Sequence, residues 1–134
     1  MTKEEAVEEL MYQSGAHENV QSKRWENGFL GQLRPFRGEL REENYHLVMQ
    51  ALKRLAPEME KDFVDKRIIS SIMAITHLGR MWAIHPEGML QSNKLITKEQ
   101  TEQIDDWLTD ISYAAFCLLD GAGAEEAFWN YDNK

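Results

Sequence analysis

Nineteen residues from Lys66 to Ile84, KRIISSIMAITHLGRMWAI, hold nine bulky apolar side chains and no acid. On a helical wheel Ile68, Ile72, Ile75 and Trp82 cover one side, and Ile69, Met73 and Ile84 carry that surface further round. The remaining side is mostly small, with Ser70, Ser71, Ala74 and His77. A helix apolar over most of its circumference belongs inside a bundle of other helices. At 1.5 Å per residue it would run roughly 28 Å, enough to cross a small domain. It has the length of a membrane span, but Arg80 and His77 interrupt it and Lys66 and Arg67 open it. A central arginine alone costs about 2.5–3.5 kcal/mol to insert. The stretch therefore reads as a buried soluble helix, and no membrane partner is expected.

The other segments supply apolar faces that this helix can cover. Thr2 and Glu5 have the spacing of a capping box, in which hydroxyl and carboxylate satisfy orphan backbone donors reciprocally. A helix over about 3–14 follows, with Ala6, Val7, Leu10 and Met11 as a narrow stripe and Gly15 as its stop. A second helix is expected over about 18–30, with Trp25 and Phe29 on one side and Gly28 and Gly31 weakening its end. LRPFRGEL reads as a loop, since Pro35 disfavours helix at Arg34 and Gly38 permits a turn.

Tyr45, Val48, Met49, Leu52 and Leu55 recur at three and four, predicting a helix over about 41–55 that Pro57 ends or kinks. Met59 and Phe63 extend its stripe. Residues 85–96 form a connection. Thr97 with Gln100 opens a helix over about 98–119, apolar along Ile104, Trp107, Leu108, Ile111 and Leu118. Asp105, Asp106, Thr109 and Asp110 make its wet side. Tyr113, Phe116 and Cys117 turn its far end apolar as well. A short helix over about 124–130 is expected to bring Phe128, Trp129 and Tyr131 as their cover. No alternating strand pattern is found. The fold class is all-α: a single domain, 1–134, with about five or six helices packed around the central apolar helix at about 66–84.

Function is less legible. The N-terminus, MTKEEAVEEL, lacks the basic and apolar regions of a signal peptide. A single cysteine, Cys117, excludes an internal disulfide and a cysteine-rich zinc site. Together these point to the cytoplasm. Cys117 itself lies among apolar neighbours and reads as a buried, inert thiol. A net charge of −8 argues against nucleic acid as a general partner and suits a basic protein.

Glu43-x-x-His46 has the spacing of half a carboxylate di-metal site, but no second copy exists, so no metal and no cofactor are expected. No nucleophile elbow, phosphate loop, dinucleotide fingerprint or zinc-protease motif is present, so no catalytic residue is assigned. The chain reads as non-enzymatic.

Against the overall acidity, residues 23–41 carry five bases and two acids, with Trp25, Phe29 and Phe36 interleaved among arginines. Arginine beside aromatics is a common anchor for a protein partner and also suits a carboxylate or phosphate. The competing reading pairs these arginines with the chain's own acids and puts the aromatics in the core. His77, inside the apolar helix, lacks an obvious structural reason. The candidate binding residues are thus Trp25, Arg34, Phe36, Arg37 and His77.

The expected function is a protein-interaction module: an inhibitor, an immunity-type protein or a regulatory adaptor. One alternative is a small-molecule or enzymatic pocket near His77, lined by Trp82 and Trp107 or Trp129. Another is nucleic-acid contact through residues 23–41. A homodimer is left open by the apolar second side of the last long helix.

Overall fold

A computed structural model describes residues 1–16 and 23–134. Those residues form helices without a strand, apart from one isolated bridge between Leu33 and Phe36. In chain order the helices are α1 (Lys3–Gln13), α2 (Glu42–Met59), α3 (Lys66–Ala83), α4 (Met89–Ser92), α5 (Lys98–Asp120), α6 (Ala124–Ala127) and α7 (Trp129–Asp132). The all-α bundle expected from periodicity is the observed fold. No helix among the described residues is long and apolar enough to cross a membrane.

Both capping boxes are formed. Thr2 Oγ1 accepts from the Glu5 amide at 3.0 Å while Glu5 accepts from the Thr2 amide at 2.7 Å. Thr97 and Gln100 do the same at the start of α5. These contacts fix two helix starts to the residue that the spacing indicates. Gly121, in the left-handed region at φ 81°, ends α5.

The long helices close a ring. α1 packs on α2 and α3, and α5 packs on the other sides of the same two. The axis of the ring is filled by Leu10, Met49, Leu52, Ile75, Ile104 and Leu108, all fully buried. α3 and α5 run antiparallel: Gly79 faces Leu108, Arg80 reaches Asp105, and Gln91 joins the Ala83 carbonyl to Thr101. α3 meets α1, α4 and α5 along Ile68, Ser71, Ile72, Ile75, Gly79 and Ala83. Its opposite side, with Ser70, Met73, His77 and Met81, is exposed.

Four local expectations change. α2 runs four residues past Leu55 with Pro57 in its last turn, because Ala56 and Met59 are buried there. Phe63 does not continue the stripe; it stands 93% exposed in the α2–α3 connection. The helix expected over 18–30 is absent from its described part, which forms consecutive turns from Lys23 onward; its earlier residues, like His17, lie outside the described ones. The turns fold back on α1, where Gln13 accepts from the Phe29 amide at 2.7 Å through its side chain and from the Leu30 amide at 3.0 Å through its carbonyl. A Cβ at Gly31 would stand 2.0 Å from the Trp25 carbonyl oxygen, so a residue with a side chain cannot take its place there. Last, the tail covers only part of α5: Phe128 is buried and Tyr131 half-buried, but Trp129 and Phe116 face solvent.

Candidate functional site

The most elaborate polar arrangement lies between α2, α5 and α7. Tyr45 and His46 reach it from α2, and Asp106, Trp107 and Asp110 line up one turn apart on α5, where residues three and four apart share a face. Tyr131 and Asp132 come from α7, followed by Lys134. A recess of about 530 Å³ opens among all of these except Asp110, with Glu42 and Gln103 at its edge.

Its floor is aromatic. Tyr45 stacks on Trp107 with centroids 5.5 Å apart and planes at 11°. Tyr131 meets Tyr45 edge-on at 5.4 Å, and Phe29 meets Trp107 the same way at 6.3 Å. The Tyr45 hydroxyl donates to Asp110 Oδ2 at 2.6 Å, and the Lys134 ammonium reaches the same oxygen at 2.7 Å. Lys134 also pairs with Asp106 and sits 5.3 Å from the centre of the Tyr45 ring. On the other flank, His46 Nδ1 and the Tyr131 hydroxyl are 2.7 Å apart, and Lys53 pairs with Asp132 at 2.5 Å.

The electrostatics follow from burial. Burial, then the bond to Asp110, pushes the Tyr45 hydroxyl well above the usual phenol range, so it is a permanent donor and no nucleophile. Burial works against the Lys134 ammonium, but its bonds to Asp106 and Asp110 outweigh that and raise its pKa. Among the described residues no group of three or more His, Cys, Asp or Glu side chains is placed to hold a metal ion. Glu43 is exposed and does not line the recess that His46 borders. Carboxylates beside aromatic faces are instead suited to a cationic group.

The residues singled out by sequence do not converge. Trp25 and Arg34 share a smaller recess of about 240 Å³ with Trp82, where the Arg34 guanidinium lies 5.4 Å from the indole centre. Phe36 is half-buried against the core, and Arg37 is exposed. Neither lines that recess, and His77 lines neither of the two. Trp82 and Trp107 border different recesses. Cys117 is buried, as its neighbours suggest.

What sequence reasoning missed is the Tyr45–Asp110–Lys134 set. By spacing Asp110 belongs with the acids on the wet side of α5, yet it is 5% exposed, because Tyr45 and the returning tail cover it. The available signal was its place between Trp107 and Ala114, one turn from each on the buried side. Compared with protein-family models, with curated proteins and with solved structures, the chain matches none.

Proposed function

We propose that this protein is a non-enzymatic helical interaction module that binds another protein, of basic character, across the outer side of α5. The observation that carries this reading is the exposure of Phe116 (60%) and Trp129 (55%), with Leu119, beyond a stretch of exposed acids on the same helix. Glu99, Glu102, Asp105 and Asp106 occupy the first half of α5 and the apolar residues follow in its second half. Met73 of α3 is exposed two turns along from the Arg80–Asp105 pair, in the direction in which α5 runs to Phe116.

Large apolar side chains grouped at a surface, next to like charges, mark an interface, and aromatic residues dominate binding energy in such places. The charge of −8 steers a basic partner toward the surface, and the apolar half holds it. A helical peptide with lysines on one side and leucines on the other serves as the probe, titrated calorimetrically at low and physiological salt. Binding that weakens with salt, and falls about tenfold or more on Phe116→Ala with Trp129→Ala, is expected. Failure of the unmodified protein to bind at low salt would sink the reading. A concentration-dependent dimer abolished by the same pair would reassign the patch to a second copy of the chain.

A further inference from the structure

Beside the recess next to that surface a cation already sits between two carboxylates, and it belongs to the chain. We propose that Tyr45, Asp106 and Asp110 form a binding site for the ammonium of a partner's lysine side chain, which Lys134 fills in the free protein. This rests on the reading of α5 as a docking surface and names the group that the surface would take.

Three features carry the inference beyond a cluster of acids. The first is the ring of Tyr45: Trp107 is stacked against it, and the Lys134 ammonium stands 5.3 Å from its centre, within the range of a cation–π contact. The second is Asp110, whose Oδ2 takes the Tyr45 hydroxyl and the ammonium together while its side chain is only 4% exposed. A buried carboxylate that loses its cation is left costly and uncompensated, so the position demands a replacement when Lys134 departs. The third is accessibility. The Lys134 side chain is 39% exposed and borders the open recess of about 530 Å³, so a competitor can reach the place it holds.

The geometry favours lysine over arginine. Asp106 and Asp110, one turn apart on α5, converge on one point charge. An ammonium directs three donors from a single atom and can serve both carboxylates while resting on the ring. A planar guanidinium spreads its donors over three nitrogens, so it would have to serve the two carboxylates from separate atoms. Because the internal lysine must leave first, the affinity measured for a partner is reduced by the fraction of time the site is open.

The experiment uses the lysine–leucine peptide above and its arginine counterpart. The proteins are the unmodified chain, Lys134→Met, Lys61→Met and Asp106→Asn. Lys61→Met removes the same charge at an exposed position beyond the end of α2, outside the recess and off α5. Vacating a site held by partly exposed ion pairs should tighten binding of the lysine peptide about tenfold in Lys134→Met. Lys61→Met should stay within about twofold, since distant exposed charges are screened at physiological salt. Asp106→Asn should weaken binding, and the arginine peptide should gain less from Lys134→Met than the lysine peptide does. Equal gains in Lys134→Met and Lys61→Met would reduce the effect to net charge and overturn the cage. Unmodified protein that binds while Lys134→Met gains nothing would overturn the cage and leave the docking surface standing. Absence of binding by every protein at low salt would remove both.

Discussion

Replacing Gly79 by alanine sets two effects of known sign against each other at the α3–α5 contact. An alanine in a helix interior is favoured over glycine by about 1 kcal/mol. Its methyl group, however, would stand 3.0 Å from Leu108 Cδ2 and 3.2 Å from Cδ1. Carbon atoms settle at about 3.5–4.0 Å, so the contact is several tenths of an ångström too short. The atoms in the way are tips of a side chain, which can yield, but Leu108 is fully buried at the ring axis with close-packed neighbours. Overpacking of this kind costs about 1–3 kcal/mol, so a net loss of about 1 kcal/mol is expected. Urea unfolding followed by circular dichroism measures it.

The cycle with Leu108→Ala isolates the cause. Alone, that truncation should cost about 2–5 kcal/mol. In the Gly79→Ala background it should cost about 1–2 kcal/mol less, since the obstruction leaves with the side chain. If Gly79→Ala instead stabilises by its full helical preference, and Leu108→Ala costs the same in both backgrounds, the two helices do not meet in this register.

Three further outcomes are expected. Tyr45→Phe removes one of the two donors on Asp110 Oδ2 and should cost about 1.5–3 kcal/mol, as for hydrogen bonds to charged groups, while Tyr131→Phe should cost about 0.5–1.5 kcal/mol; equal losses by urea unfolding would contradict the description of Asp110 as a buried anion. Lys3 and Lys61 hold the Glu58 carboxyl down to about 2 from an ordinary 4.5, so the stability it adds at neutral pH is lost as pH falls from about 4.5 toward 2. Glu58→Gln should flatten the urea midpoint across that window, and an unchanged slope would place the acid sensitivity elsewhere. Phe63→Ser should leave stability within about 0.5 kcal/mol, because nothing is buried with it; a larger loss in thermal unfolding would show that the ring packs.

Where local rules act alone, the sequence was a good guide. Thr2 and Thr97 start their helices because a capping box is complete within four residues. The stripes of α2 and α5 are buried as their three-and-four spacing requires. Reasoning failed where distant segments decide. Residues 23–31 contain helix formers, yet Gln13 of α1 takes the Phe29 and Leu30 amides and the chain turns instead. Asp110 looks like one more solvated acid until Tyr45, 65 positions away, donates to it. On α3 the side chains small enough for close contact with another helix include Ser70, Ser71 and Ala74. Ser71 is buried and Ser70 is not, and the tightest space is a glycine, Gly79, whose role depends on where Leu108 arrives. Such pairings are properties of tertiary register, which no periodicity encodes.

The recess has walls of unequal permanence. α2 and α5 each contribute nine buried residues to the ring, so their amides open only with the bundle as a whole. α7 has none. It is held by the Tyr131–His46 contact and the Lys53–Asp132 pair, with Lys134 just beyond. The exposed Lys53–Asp132 pair contributes about 1 kcal/mol or less, so even with the Lys134 contact to the buried Asp110 given up, this turn detaches well short of global unfolding. Its backbone amides should therefore exchange with deuterium while the carriers of Tyr45 and Trp107 remain protected. The aromatic floor is permanent, and the side that closes over it is a door on a faster clock.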